Sequence, residues 1–275
     1  MALRQICPEP NTNTFMNSRK SKHVSSLAQL ASHFESAHSD LIEKRVLQKR
    51  KDSKYLVDLD KLEMLFDGFF SHYRVLEENQ LKVQRYQTRY FDEESLRCFE
   101  NDKSNVTPRH KVRIRKYLDR DLSFFEIKSR NETQTKKRRV LLECAEEDKQ
   151  HYEHDKEGTS DCGIGENEES LILKYTDLDP GKLQCEVKTS FHRLTLLGVK
   201  RNERITIDTN LIFERRGEQL RWEQFAIVEI KHPIGRVSPF SKSLALAGYK
   251  VDGFSKYKTA IESFLDHQSQ DYAAS

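Results

Sequence analysis

No stretch of these 275 residues is apolar for long enough to cross a bilayer, and the opening MALRQICPEPNTNTF lacks the apolar segment of a secretion signal. There is no CxxC pair. The five cysteines (Cys7, Cys98, Cys144, Cys162, Cys185) are odd in number and scattered, which suits reduced thiols better than a disulfide framework. A large excess of one charge sign is also missing: 47 Lys and Arg face 44 Asp and Glu, a formal +3. Such a balance gives no global field of the kind that marks a general nucleic-acid binder, and no nucleic-acid partner is expected. No internal repeat is evident. Together these absences predict a cytoplasmic protein without a transmembrane segment. They leave oligomeric state open.

Charge itself is plentiful, at 33% of residues, while aromatics at 9% and regular apolar spacing exclude a disordered chain. Residues 1–23 are polar and without period, and read as a flexible tail. Segment 24–45 has helical spacing with Ser residues that can cap it, and 58–71 places Leu59, Leu62, Leu65, Phe66 and Phe69 on one helical stripe that packs on a core. The rest is strand-like: 84–92, 110–117, 122–130, 137–144, 183–197, 203–215 and 224–232 are rich in β-branched or aromatic residues and mostly alternate with period two. Between them, 145–170 is acidic, contains Gly and has no period, so we read it as an exposed insert. The main domain then covers 24–267, with 268–275 as a C-terminal tail. Seven or so strands joined by short turns predict an antiparallel barrel or sandwich.

Alternation also assigns faces, because residues two apart on a strand share one. HKVRIRKY sets Lys111, Arg113, Arg115 and Tyr117 against Val112 and Ile114. LSFFEIKSR sets Glu126, Lys128 and Arg130 against Phe125 and Ile127. Arg204, Thr206 and Asp208 oppose Ile205 and Ile207, while Arg193 with Thr195 and Glu229 with Lys231 occupy equivalent places. Such faces arise in a half-solvated sheet. They arise equally in a closed barrel with a charged interior and apolar groups turned outward onto helices. Confined cations need anions, Arg suits bidentate phosphate contacts, and carboxylates among them are hard ligands for Mg²⁺ or Mn²⁺. The residues alone reach a site for a phosphate-rich anion with a divalent metal.

The series KYLV (54–57), YQTRYFDEESLRCF (86–99), HKVRIRKY, LSFFEIK, FHRLTLL (191–197), ERITIDTNL (203–211), IVEIK (227–231) and GFSKY (253–257) resembles the VTC domain. That is the polyphosphate polymerase domain of the triphosphate tunnel metalloenzyme superfamily. The resemblance runs in order over nearly the whole chain. It implies an α+β, mainly β fold: an eight-stranded antiparallel tunnel barrel with a basic lumen, flanked by helices. It also implies transfer of the γ-phosphate of ATP to a growing polyphosphate chain, with a divalent metal, Mn²⁺ or Mg²⁺. On the family's motifs, Arg113, Arg115, Arg193 and Arg204 grip phosphates and offset transition-state charge. Lys54, Lys128, Lys137, Ser255 and Lys256 hold donor and chain, Lys137 being chosen among the cations of KKRR (136–139). Glu229 anchors the metal. The chain departs from the family in FENDKSNVTPRH, which has no Gly before the KVRIR strand. The phosphate-sensing domain and membrane helices of eukaryotic relatives have no counterpart in this sequence, so a stand-alone or partner-recruited polymerase is expected.

Other readings keep their place. A triphosphatase of the same fold carries ExExK on the first strand, whereas RKDSK (50–54) keeps the lysine and loses both glutamates, weakening metal-water activation. A non-catalytic polyphosphate or nucleotide sensor would use the same basic face. An RNA-binding barrel would interleave aromatics with the cations, and Tyr117 is the one clear example. Cys144, His151, His154 and Cys162 have gaps that match no standard zinc module. KRVLQKRK (44–51) reads as the start of a strand rather than a nucleic-acid patch. Asp208 reads as a counter-ion that fixes Arg side chains, with a second metal ligand as the alternative.

Overall fold

Strand period and apolar alternation become ten strands: β1 (Arg50–Asp58), β2 (Tyr73–Val75), β3 (Val83–Asp92), β4 (Arg109–Tyr117), β5 (Leu122–Arg130), β6 (Thr135–Leu142), β7 (Gln184–Gly198), β8 (Arg204–Arg215), β9 (Glu218–Trp222) and β10 (Phe225–Pro233). The structure, a computed structural model, describes residues 27–44, 50–132, 134–142 and 163–274. Eight strands form one hydrogen-bonded path, β1-β10-β8-β7-β3-β4-β5-β6, with β2 added to β7 and β9 to β8. The named pairs β1–β10, β10–β8, β4–β5 and β5–β6 are antiparallel. The expected mainly β, antiparallel architecture with flanking helices is what forms. Hydrogen bonding leaves β1 and β6 as the ends of the path.

Helices are α1 (Ser39–Lys44), α2 (Leu62–Phe66), α3 (Arg97–Lys103), α4 (Glu166–Tyr175), α5 (Pro239–Leu246) and α6 (Lys256–Ala274), with a further helical stretch at 27–32. The chain divides into two compact units, Met1–Tyr86 with Thr189–Ser275, and Gln87–Lys188. Strands β3 and β7 each run from one unit into the other.

In the first unit the apolar faces of the strands form the core. Tyr55 and Val57 of β1, Val228 and Ile230 of β10, Ile205 and Ile207 of β8, and Leu194 and Leu196 of β7 are buried with Leu27, Leu30, Phe34, Phe66 and Phe240 from the helices. Phe66 stacks on Phe240 with centroids 4.1 Å apart. The apolar side of the sheet therefore faces helices, and the charged side is the other one. The predicted helix at 58–71 is broken into Leu59–Lys61 (3-10), α2, and Phe70–His72 (3-10). Gly68 at φ 78° supplies the left-handed turn that interrupts it. The stripe still packs inward: Leu59, Leu62, Leu65 and Phe66 are buried and Phe69 borders the same cluster.

In the second unit Val112, Ile114, Phe125 and Ile127 are buried, with α3 against β4 and α4 against β5. The last residue of β3 starts α3: the Asp92 carboxylate accepts from the backbone N–H of Cys98 at 2.8 Å and of Phe99 at 3.0 Å. That satisfies two of the orphan donors of a helix start. The predicted insert at 145–170 is partly helical, since α4 begins at Glu166. Gly165 caps it, and the Glu168 carboxylate accepts from the Gly165 N–H at 3.1 Å. Residues 143–162, which include Cys144, His151, His154 and Cys162, lie outside the described residues, as does 1–26. Helix α6 continues through Ala274, past the expected tail boundary. Among the described residues no helix is long and apolar enough to cross a membrane.

Candidate functional site

Antiparallel register sets the charged face of the first unit in cross-strand rows. Asp52 of β1 lies opposite Lys231 of β10, which lies opposite Arg204 of β8; the next row is Lys54, Glu229 and Thr206; the next is Leu56, Ile227 and Asp208. Arg193 of β7 grips Asp208 with two parallel bonds, Nε to Oδ1 at 2.6 Å and Nη2 to Oδ2 at 2.7 Å. Lys256, at the start of α6, donates to the same Oδ2. Lys54 Nζ donates to the Phe254 carbonyl at 2.7 Å. Lys231 Nζ lies 2.7 Å from Glu229 and 3.0 Å from Asp52. The Arg193 guanidinium also rests on the rings of Tyr86 and Phe191, at 5.1 and 5.2 Å. The Ser255 hydroxyl accepts weakly from the Lys258 N–H at 3.4 Å.

Apart from Asp52, which is 38% exposed, these side chains are largely withdrawn from water. Asp208 is 3% exposed, Lys231 10%, Lys256 11% and Glu229 18%. A half-solvated sheet would leave them in water, so in this unit the charged-interior reading holds. The electrostatics follow from confinement. Burial raises the Glu229 carboxyl, but Lys231, Lys54 and Arg193 more than offset it and bring it down to about 2. Burial likewise opposes ionisation of Asp208, and Arg193 and Lys256 hold it well below the carboxylate range. Burial lowers Arg204, and repulsion from Arg50 and Arg193 lowers it further. Six cations (Arg50, Lys54, Arg193, Arg204, Lys231, Lys256) thus share a face with three carboxylates (Asp52, Asp208, Glu229). Two buried polar atoms on this face, Arg204 Nε and Thr206 Oγ1, have no hydrogen-bond partner. Nearly all buried polar groups have one, so these two atoms stand out on this face.

The second unit, described by itself, also carries a cationic face. Lys111, Lys128 and Lys137 form one cross-strand row, and Arg113, Glu126 and Arg139 the next. Glu126 is its centre, 2% exposed: Arg113 approaches Oε2 at 2.6–2.7 Å, Lys137 reaches Oε1 at 2.5 Å and Arg139 reaches it at 3.5 Å. Burial raises Glu126, and Arg113, Arg115 and Lys137 outweigh it, leaving its carboxyl at about 2. Lys137 is pushed down by burial and by Arg113 and Arg115, despite its bond to Glu126. Arg115 Nε donates to Thr88 Oγ1 at 3.2 Å. Lys111 Nζ meets Asp102 of α3 at 2.6 Å. The face is buried at β4 and opens across β6, where Lys137 and Arg139 are 46% and 39% exposed.

Within the first unit, then, lie Lys54, Arg193, Arg204, Glu229, Ser255 and Lys256; within the second, Arg113, Arg115 and Lys137 gather around Glu126. Lys128 is exposed in its lysine row. Among the cations of KKRR, Lys137 shares the face of Glu126, whereas Arg138 turns to the Tyr175 ring at 4.8 Å. Sequence reading assigned no role to Asp52, Thr88 or the Phe254 carbonyl. These meet their partners across long chain separations, and nothing local signals them.

The metal question turns on the donor set. Among the described residues no three His, Cys, Asp or Glu side chains cluster to form a cage. Glu229 is ionised and lies in the row of Thr206, whose hydroxyl oxygen is unpartnered. Asp208 and Asp52 are each bound by two cations, and Glu229 by Lys231. This fits a hard divalent ion held through Glu229 and otherwise by phosphate oxygens and water, the manner in which Mg²⁺ and Mn²⁺ accompany polyphosphates.

A mainly β antiparallel fold carrying buried cationic strand faces defines the class, and its family follows. The VTC domain family model matches residues 49–265, and the chain belongs to that family. No curated protein matches the sequence. Among solved structures, a putative adenylate cyclase from Bacillus halodurans shares 13% identity at a TM-score of 0.47, covering 75% of this chain and 94% of that one. A putative adenylyl cyclase from Hippeastrum, described as having a dominant triphosphatase activity, shares 14% identity at 0.42, with coverages of 77% and 95%. A putative adenylate cyclase from Vibrio parahaemolyticus shares 11% identity at 0.43, with coverages of 78% and 98%.

Proposed function

We propose that the protein is a polyphosphate polymerase that transfers the γ-phosphate of ATP to the end of a growing polyphosphate chain, with Mn²⁺ or Mg²⁺. The observation that carries this reading is the buried excess of cations, with Arg204 Nε left without a partner. Such a surplus is costly unless a polyanion fills it. Phosphoryl transfer asks a protein mainly for positioning and charge stabilisation, so no side-chain nucleophile is needed and the chain end attacks. In this reading Arg193 and Arg204 bind phosphate oxygens in the first unit, and Asp208 orients Arg193 and Lys256 for it. Lys54, Ser255 and Lys256 hold donor and chain. In the second unit Arg113 and Arg115 bind phosphate, with Lys128 and Lys137 at the open side. A metal held through Glu229 would neutralise charge on the transferred phosphoryl group.

Hydrolysis by the same face is the second reading. Against it, the β1 carboxylate Asp52 is bound by Arg50 and Lys231, which leaves Glu229 with little help in activating a metal-bound water. The test is to incubate the pure protein with ATP and Mn²⁺, resolve the products by chain length, and repeat with Arg193→Ala and Glu229→Ala. A ladder of polyphosphate that both substitutions abolish supports the proposal. Free phosphate and ADP with no polymer support the hydrolase. Tight polyphosphate binding without turnover supports a sensor.

A further inference from the structure

Away from the charged face, the first unit carries a cleft of about 280 Å³, lined by Arg201, Asn202, Glu203, His232, Arg236 and Val237 among others. It lies where the turn between β7 and β8 meets the chain leaving β10. Strand alternation puts Glu203 and His232 on the side opposite Arg204 and Lys231, so the cleft is not part of the charged face. Its polar groups are unevenly satisfied. Glu203 is buried and already accepts from the Tyr73 hydroxyl. His232 is buried, and its Nδ1–H donates to the Pro233 carbonyl at 3.1 Å. Arg201 and Arg236 are both exposed, and neither guanidinium makes a hydrogen bond or ion pair among the described residues. Asn202 Oδ1 is a buried acceptor without a donor.

Two unpaired guanidiniums beside one cleft call for an anion with several oxygens, and Arg suits phosphate geometry. An orphaned buried carbonyl oxygen calls for a donor on the same ligand. The size is that of a metabolite, not of a macromolecule. We propose that this cleft binds a small hydroxylated phosphate monoester. Arg201 and Arg236 take the phosphoryl oxygens, and Asn202 Oδ1 accepts from a ligand hydroxyl. Val237 supplies an apolar wall. The proposal concerns residues that the polymerase reading does not use, and each can fail without the other.

The test titrates glycerol 3-phosphate and, separately, inorganic phosphate into the full chain. Affinity is measured from the titration of the Asn202 and His232 NMR signals, which report on this cleft and not on the charged face. Glycerol 3-phosphate should bind more tightly than phosphate and move those signals. Arg201→Ala with Arg236→Ala should weaken it about tenfold or more. Asn202→Ala should weaken glycerol 3-phosphate while leaving phosphate within about twofold. No binding by the wild type at millimolar concentration, or binding that the double arginine variant leaves within twofold, overturns the site. Equal affinity for the two probes overturns the monoester assignment in favour of free phosphate.

Discussion

Asp208→Asn isolates the electrostatics of the first unit's charged face. The carboxylate is 3% exposed and holds Arg193 by two bonds and Lys256 by a third. Asparagine keeps the shape and one acceptor oxygen but removes the charge, leaving two buried cations facing each other. Breaking a buried pair in this way costs about 3–5 kcal/mol. An unfolding entropy of about 2.1 cal/mol/K per residue gives roughly 0.6 kcal/mol/K for a chain this long, so Tm should fall by about 5–8 °C. A polyanion on the same face would replace the missing charge, and ligand binding to the folded state raises Tm by mass action. Thermal unfolding followed by near-ultraviolet circular dichroism, with and without saturating tripolyphosphate, measures both effects. The gap between variant and wild type should be wide without the polyanion and should close by at least half with it. A gap under about 1 °C, or one that tripolyphosphate leaves unchanged, would refute the reasoning.

Glu126 has a folded pKa of about 2 against an ordinary value near 4.3, so its ionisation contributes stability that is complete above about pH 4.3 and lost as pH falls through 2, on the order of 3 kcal/mol. Acid titrations of Glu126→Gln should accordingly show a shallower loss of stability between about pH 4 and 2 than the wild type; parallel curves would count against the assignment. Arg204→Ala removes a buried cation with an unpartnered Nε, so Tm should hold or rise while tripolyphosphate affinity in calorimetry drops about tenfold or more. A marked fall in Tm would make Arg204 a structural residue. Phe240→Ala empties a fully buried position stacked on Phe66 and should cost about 3–5 kcal/mol in urea unfolding, without changing the affinity for tripolyphosphate.

Much of this was legible because a strand writes its two faces into the sequence. HKVRIRKY and LSFFEIKSR gave both the strand limits and the side on which Arg113, Arg115 and Glu126 lie. Ile205 and Ile207 against Arg204 and Asp208 did the same for β8, and the counter-ion reading of Asp208 matches its grip on Arg193. What alternation cannot tell is whether a charged face is wet. That depends on what covers it, and in the first unit the 252–256 segment does so through the Phe254 carbonyl and Lys256. Short elements escaped for a different reason: β2 has three residues and β9 five, too few to show a period. The broken helix at 58–71 kept its stripe because 3-10 and α turns place Leu59, Leu62, Leu65 and Phe66 on nearly the same side. Helix α4 was hidden by its acidic first turn, which resembles a loop in composition and stabilises a helix start in practice.

The central claim is that these cationic faces lengthen a phosphate chain. Two parallel incubations with Mn²⁺ decide it, one with ATP labelled on the γ-phosphorus and one with ATP labelled on the α-phosphorus. The account predicts γ-label in polymers that lengthen with time and α-label confined to ADP. γ-Label that ends only in inorganic phosphate, or α-label in a cyclic nucleotide, would contradict it.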